Sequence, residues 1–207
     1  MLTAPIALHP HLDPEDEARA QFYALLARLY ASGPDASLLK DLGGASPWPE
    51  PDGNPIAQSW NTLILASRAM DAAAADQEYT ELFVGVGKSP VNLHGSHFLT
   101  EAASERPLVA VRSDLARLGL GRREKATMYE DHLAALCETM RLLVAGDKER
   151  PPAPIEVQRA YFNRHIAPWV FDCCDAICEC PLANYYQRVA EFTSRFMAVE
   201  RDSLAIE

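Results

Sequence analysis

The feature that most constrains this chain is a helical spacing of apolar residues that recurs along its 207 residues. Apolar side chains at positions i, i+3, i+4 and i+7 lie on one face of an α-helix, where they can pack against other helices. No segment alternates apolar and polar residues as a half-buried β-strand does. The sequence therefore predicts an all-α protein, a single domain over residues 1–207 with about eight or nine helices. The clearest stripes are Phe22, Leu25, Leu26 and Leu29; Leu133, Leu136, Cys137, Met140 and Leu143; and Tyr185, Val189, Phe192 and Phe196.

Capping residues and prolines place the ends of the predicted helices. Asp13 is a favourable N-cap in front of Pro14, and Gly33-Pro34 ends this first helix. We expect residues 1–12 to be flexible and the proline-rich stretches 43–55 and 147–154 to be loops. The other helices are predicted near residues 36–42, 56–75, 107–118, 127–145, 155–166, 168–179 and 183–202, with shorter helical segments at 77–84 and 97–102 behind Asp76 and Ser96.

The charge balance is acidic, with 19 Lys and Arg against 29 Asp and Glu and a formal net charge of -10. Proteins that bind nucleic acid or anionic lipid usually carry a basic patch or stripe. The one tight basic cluster in the sequence is Arg122, Arg123 and Lys125, which we interpret as a solvated loop. Nucleic acid and membrane are therefore not expected partners, whereas an acidic surface favours a cationic one.

The sequence also bears on location and on catalysis. The amino-terminal stretch has no Lys or Arg before Arg19 and no long apolar run, unlike a secretory signal or a transit peptide. No stretch reaches the roughly 18 apolar residues that a membrane-spanning helix needs. The motifs G-x-S-x-G, H-E-x-x-H, G-x-G-x-x-G and Walker A do not occur. We therefore expect a cytoplasmic protein that is not an enzyme.

The first candidate site is the segment Tyr79-Thr-Glu-Leu-Phe83, which is followed by Gly85 and Pro90. One interpretation is a helix with a Leu82/Phe83 core contact and then a flexible turn. The other is that aromatic and apolar residues at a helix end, beside a loop shaped by glycine and proline, form a groove for a peptide. In that interpretation Glu78 and Glu81 line the rim with negative charge.

The second candidate site is the triplet Glu130-Asp131-His132. Thr127 and Glu130 have the spacing of a capping box, Asp131 would interact with the helix dipole, and His132 could be a neutral core residue. Successive helical residues point about 100° apart, so the triplet could not bind one metal ion together. Alternatively, Asp131 and His132 are polar anchors at the mouth of the same groove, where a carboxylate could pair with an arginine guanidinium.

Cysteine and histidine leave an alternative of another class open. The five cysteines are Cys137, Cys173, Cys174, Cys178 and Cys180. Three thiolates of the Cys173–Cys180 cluster plus His165 or Cys137 could in principle hold zinc or an iron–sulfur cluster, which would make the chain a helical metalloenzyme or metal-binding protein. No C-x-x-C pair occurs, however, and buried free cysteine is common. The pair His94 and His97 is also better explained without a metal, so no metal site is predicted.

Five segments in order give the chain a resemblance to a known family. They read RAQFYALLARLYASGPD, EYTELFVGVGKSPVNLHGS, YEDHLAALCETM, RHIAPWVFDCCDAI and ANYYQRVAEFTSRFMAVE, and they cover the chain from about Arg19 to Glu200. This order resembles the TorD/DmsD/NarJ family of redox-enzyme maturation chaperones. The resemblance implies a TorD-like helical domain that binds the twin-arginine leader of a molybdoenzyme catalytic subunit and holds the immature subunit until its cofactor is inserted. It also implies a monomer or a domain-swapped dimer and, in some members, weak guanine-nucleotide binding, with no other cofactor.

The resemblance also carries residues over. The family element Y/W-x-x-L-F-x-G falls on Tyr79, Leu82, Phe83 and Gly85, and its later proline and serine fall on Pro90 and Ser96. The element E-P-x-D-H keeps its Asp131-His132 pair, with Met128 and Tyr129 in place of the leading Glu and Pro. The pattern His-Leu-x-Pro-Trp falls on His165, Ile166, Pro168 and Trp169, and Cys173 stands where an aromatic often follows.

The leader site expected from this resemblance has an apolar wall and a polar edge. The leader's apolar stretch would pack on Tyr79, Leu82 and Phe83. Its arginines would be held by Asp131 first, with Glu81 and Glu130 next. The full set of expected leader-binding residues is Tyr79, Glu81, Leu82, Phe83, Gly85, Pro90, Ser96, Glu130, Asp131 and His132.

Overall fold

A computed structural model describes residues 12–49, 53–85, 89–99, 106–121 and 128–206 of the chain. These residues form ten α-helices and one π-helical segment, with no β-strand among them. The all-α prediction is therefore confirmed. The elements are α1 Pro14–Ala31, α2 Ala36–Gly44, α3 Pro55–Ala69, α4 Ala72–Tyr79, the π segment Thr80–Val84, α5 Gly95–Phe98, α6 Pro107–Arg117, α7 Leu133–Ala145, α8 Ile155–His165, α9 Val170–Glu179 and α10 Tyr185–Ala205.

The longest helix, α10, packs against four other helices. It packs against α3, α9, α8 and α4, while α1 lies along α7 and α2 lies on α3. The predicted inward positions of α7 and α10 are buried as the spacing requires. In α1 the buried face is centred on Tyr23, Leu26 and Tyr30, with Phe22 and Leu25 at its margin. One contiguous core results.

A buried ion pair ties the two ends of the described chain together. The Arg19 guanidinium donates to both carboxylate oxygens of Glu200, at 2.7 and 3.0 Å, and to the Gln158 side chain at 3.1 Å. The Tyr23 hydroxyl donates to the same Glu200 carboxylate at 2.8 Å. Because each buried charge has charged and neutral partners, this network can join α1, α8 and α10 without an unpaired ion.

The helix predicted over 56–75 is two helices. α3 ends at Ala69, and α4 begins at Ala72 behind Asp71, whose carboxylate accepts the N–H groups of Ala73 and Ala74 at 2.9 and 3.2 Å. Asp71, not Asp76, is therefore the N-cap of this second helix. An aspartate side chain that bonds the N–H groups just after it competes with continuation of the preceding helix and starts a new one, into which the following alanines fit.

Two other helix starts also differ from prediction. The capping box at Thr127 and Glu130 does not begin α7, which starts at Leu133 with His132 as its N-cap; Thr127 itself lies outside the described residues. The short helix expected at 97–102 is α5, which spans Gly95–Phe98 behind His94, so Ser96 is inside it and not its N-cap. Residues 100–105 lie outside the described part of the chain.

The loops and termini add three observations. Gly43 and Gly44 still belong to α2 and Pro55 already begins α3, so the connection between these helices is shorter than the predicted 43–55 loop. Residues 146–154 connect α7 to α8 without a helix, and the expectation for residues 1–12 falls almost wholly outside the described residues. Within the described parts of the chain, none of the helices combines the length and apolarity needed to cross a membrane.

Candidate functional site

The segment that contains the predicted apolar wall is a π-helix. Thr80–Val84 continues α4 with wider turns, and it closes where the Gly85 N–H donates to the Thr80 carbonyl at 2.8 Å. Gly85 has φ +60°, a backbone conformation that favours glycine. π-Helical turns inside or after α-helices are rare and frequently mark functional sites.

The side chains of this segment divide between core and surface. Leu82 is fully buried, whereas Tyr79 and Phe83 are half-buried. The Phe83 ring lies 5.3 Å from Tyr79 and 5.0 Å from Tyr186, in edge-to-face arrangements. The Tyr79 hydroxyl donates to the Tyr30 carbonyl at 3.2 Å. Leu82 is thus a core residue, and only the outer faces of Tyr79 and Phe83 remain for a ligand.

The segment 89–94 is hydrogen-bonded to the apolar wall at one end and to the polar edge at the other. The Val91 N–H donates to the Leu82 carbonyl at 3.1 Å, and the Leu93 carbonyl accepts the Leu133 N–H at 2.8 Å. His94 pairs with His132 in an isolated antiparallel bridge. The structure therefore brings the two halves of the predicted site into one hydrogen-bonded framework.

Asp131 lies inside this framework and is only 2% exposed. Its carboxylate accepts the Ser96 N–H at 3.0 Å, and its carbonyl accepts the Gly95 N–H at 2.9 Å. The side chain therefore supplies the capping interaction at the start of α5 from a distant part of the chain. Ser96 and Asp131 were predicted to belong to one site, and they are in direct contact. The contact holds the start of α5, however, and does not leave the carboxylate open to a ligand.

His132 caps the next helix. Its Nδ1 accepts the Ala134 N–H at 3.1 Å, so the neutral ring carries its proton on Nε2. The ring lies 4.8 Å from that of His94, nearly perpendicular to it. Burial, and next the neighbouring His94, lower the pKa of His132 to about 3, while Asp131 opposes the shift. His132 is therefore neutral at physiological pH. The triplet Glu130-Asp131-His132 was predicted to be helical, but it forms a turn before α7.

The more accessible carboxylates of the predicted site are Glu81 and Glu130. Glu81 is exposed and accepts the side-chain N–H of Gln77 at 2.8 Å. The Glu130 carboxylate accepts a guanidinium N–H from Arg112 of α6 at 3.0 Å. Pro90 is exposed beside the connecting stretch. The structure thus separates the acidic candidates into a buried one, Asp131, an exposed one, Glu81, and a partly enclosed one, Glu130, whose arginine partner is solvated.

The prediction that Glu78 lines the rim of the groove is wrong. It is buried, and its carboxylate accepts the backbone N–H groups of Asn184, Tyr185 and Tyr186 at 2.8, 3.0 and 2.8 Å. α10 has no side-chain cap of its own at Asn184. Glu78 therefore caps α10 across the structure and complements the positive end of its dipole. Sequence reasoning missed this role because the partners are more than a hundred residues away.

Trp169 and His165 form a wall behind α5. The Trp169 ring stacks on Phe98 at 5.3 Å, and its Nε1–H donates to the His165 carbonyl at 2.7 Å. A Cβ on Gly95 would lie 3.0 Å from that same Nε1, so glycine allows the close approach. His165 Nε2 lies 2.7 Å from the Asp114 carboxylate. The His-x-x-Pro-Trp pattern therefore holds α5, and with it the polar edge, in place.

The cysteines are free thiols, three of them fully buried. Burial raises the pKa of Cys137, Cys173, Cys174 and, to a smaller extent, Cys178, which disfavours the thiolate that a metal or an electrophile needs. Among the described residues, no group of three or more His, Cys, Asp or Glu side chains is arranged to hold a metal ion.

A cavity of about 410 Å³ lies between α6 and α8. Leu118, Val157 and Ala160 supply apolar surface, while the Asp114 carboxylate at its edge is paired with Arg117 and, at 2.9 Å, with Arg164. This carboxylate is bonded by two arginines at once, and none of the residues predicted to bind a leader lines the cavity.

Comparisons with known proteins agree with this architecture. The sequence profile of the family described as nitrate reductase delta subunit matches residues 50–175. Among solved structures, the fold is similar to that of a protein from Archaeoglobus fulgidus whose assigned role is redox enzyme maturation. The TM-score is 0.59 at 14% sequence identity, and the match covers 93% of this chain and 99% of the other. None of the curated proteins matches the chain by sequence.

Proposed function

We propose that this chain, which belongs to the nitrate reductase delta subunit family of NarJ/TorD-type chaperones, is a cytoplasmic protein that binds a twin-arginine leader. The family points to maturation of molybdoenzymes. In the proposal the partner is the immature catalytic subunit of a molybdenum-cofactor oxidoreductase, held until its cofactor is inserted and before export. The chain acts by binding alone, without covalent chemistry or a resident cofactor; weak guanine-nucleotide binding remains an expectation from the resemblance.

The observation that carries this proposal is the framework that joins the π segment to the turn at residues 129–132. It carries two kinds of surface, aromatic faces at Tyr79 and Phe83 with the Glu81 carboxylate at one end, and the Glu130 carboxylate at the other. A twin-arginine leader has the complementary chemistry, because an apolar stretch follows its two guanidinium groups. The formal net charge of -10 would speed its capture and make binding weaken with added salt.

The predicted leader-binding residues take two roles in this proposal. Tyr79, Phe83, Glu81, Pro90 and Glu130 contact the leader. The others hold the framework: Leu82 and Gly85 shape the π segment, and Ser96, Asp131 and His132 fix the turns. Asp131 thereby moves from first candidate for an arginine to a positioning residue, because a guanidinium would have to displace the Ser96 N–H to reach it.

Co-purification tests the proposal against its rivals. We expect a tagged form of this chain to retain the apo catalytic subunit of a molybdoenzyme from the same organism, and to lose most of it when the leader is deleted. A helical adaptor that ignores leaders would retain both forms equally, which would contradict the proposal. Stoichiometric zinc or iron in the purified chain would instead favour the metal-binding alternative.

A further inference from the structure

We infer that Arg112 occupies, in the free protein, the position that an arginine of the leader takes in the complex, and that it thereby limits how tightly a leader binds. The inference rests on the proposed function and names one subsite within it, the Glu130 carboxylate. It also assigns a role to a residue of α6 that no sequence motif singled out.

The geometry is that of an exchangeable pair. The Arg112 Nη2 atom lies 3.0 Å from Glu130 Oε2, and the Arg112 side chain is 47% exposed whereas that of Glu130 is 13% exposed. The carboxylate is thus the enclosed partner and the guanidinium the solvated one. Arginine reaches the pair on a long flexible stem from a helix, so it can leave without moving the backbone.

The backbone that carries Glu130 is fixed by the residues next to it in the chain. The His132 N–H donates to the Tyr129 carbonyl at 3.2 Å and closes the turn that carries Glu130. The adjacent Asp131 is tied to α5 through Ser96, and His132 caps α7. A second guanidinium that replaced Arg112 would therefore bind a carboxylate that projects from an ordered turn, and the order of the turn favours binding through preorganisation.

The Arg164–Asp114 pair has a similar form, with side chains 45% and 11% exposed, but it lies outside the predicted site. The Arg188–Glu191 pair has a different form. Arg188 and Glu191 lie 2.9 Å apart on the same helix, three residues apart, with side chains about equally exposed at 38% and 37%. The Arg112–Glu130 pair instead joins α6 to the predicted polar edge, eighteen residues further along the chain. Arg188 is therefore a matched control, because neutralising either arginine changes the net charge equally.

We expect a variant that lacks the Arg112–Glu130 pair, but keeps Glu130, to bind the leader more tightly than the wild type. If Arg112 holds Glu130 for about half to four-fifths of the time, removing it should tighten leader binding about two- to fivefold. Titration calorimetry would compare the wild type with Arg112→Gln, Arg188→Gln, Glu130→Gln and the double variant Arg112→Gln/Glu130→Gln. The probe is the synthetic twin-arginine leader of the molybdoenzyme subunit that co-purifies with the chain, with a second peptide in which both arginines are glutamine.

The inference predicts that only Arg112→Gln gains affinity beyond Arg188→Gln, and that the gain vanishes with the glutamine leader and in the double variant. If Arg112→Gln binds the arginine leader no more tightly than Arg188→Gln does, the inference about Arg112 is overturned while the proposed function stays in place. If the wild type binds neither leader, the proposed function fails and this inference fails with it. A gain that persists with the glutamine leader would show a general charge effect and would also overturn it.

Discussion

Replacing Glu78 by alanine is expected to lower the free energy of unfolding by about 3–5 kcal/mol, the largest effect of a single exchange that we predict. The carboxylate is buried and accepts three backbone N–H groups at the start of α10. Hydrogen bonds to a charged group are roughly twice as strong as neutral ones, and removing the acceptor leaves the N–H groups of Tyr185 and Tyr186 buried without a partner. Urea unfolding followed by circular dichroism measures the change.

A second carboxylate nearby provides the control. Glu81 lies three residues along the same segment but is exposed and bonded only to Gln77 in the described contacts. Glu81→Ala should change the free energy of unfolding by no more than about 0.5 kcal/mol. Glu78→Gln, which keeps one side-chain oxygen, should fall between the two. Equal stability of Glu78→Ala and Glu81→Ala would show that the carboxylate does not hold α10.

Acidification is expected to destabilise the protein through His132, by about 2 kcal/mol near pH 5 relative to neutral pH. In the unfolded chain this histidine takes up a proton near pH 6.5, whereas burial and then His94 lower its pKa in the folded protein to about 3. The unfolded state therefore binds more protons between these values, so stability falls as the pH drops through this window. Protonation at Nδ1 would also remove the acceptor for the Ala134 N–H.

The variant His132→Asn separates this effect from other acid-induced losses. Asparagine is a favourable N-cap, so its side-chain oxygen can accept the Ala134 N–H while it has no proton to gain. We expect the variant to lose about 2 kcal/mol less than the wild type between pH 7 and pH 5, measured by urea unfolding at both values. Parallel losses in the two proteins would show that His132 does not titrate as the structure indicates.

The helices were predictable from the sequence wherever local signals agree. α1 begins at Pro14 behind Asp13, and α7 ends at Gly146, whose φ of +69° suits glycine. The apolar spacing also identified the buried face of α10. In each of these cases a residue type, a spacing and a terminator within one helix point to the same structure, so no distant contact is needed to decide it.

Local signals failed where a distant or less common cap decided the boundary. The Thr-x-x-Glu spacing at Thr127 suggested a helix start, but the imidazole of His132 caps α7 and the backbone before it bonds to residues 93–95. α5 is similarly stabilised by Asp131, 35 residues beyond Ser96. From the sequence alone such side chains look free to bind a ligand, whereas in the fold they accept the unpaired N–H groups at the starts of helices.

The candidate site shows the same division. Its aromatic residues could be identified from the sequence, because Tyr79 and Phe83 lie at a helix end before a glycine. The sequence could not show which carboxylates are accessible to a ligand. Glu78 and Asp131 are buried against the starts of α10 and α5, whose backbone N–H groups they accept. The pairing of Arg112 with Glu130 likewise joins segments whose proximity no local pattern reveals.

Titration of the purified chain with a synthetic twin-arginine leader tests the central claim most directly. The account predicts saturable binding that weakens about tenfold or more when both leader arginines are replaced by glutamine, and that weakens as salt is added. Glu130→Gln should lose affinity for the arginine leader and show little change with the glutamine leader. Equal affinity of the wild type for the two peptides, or no binding to either, would contradict the account.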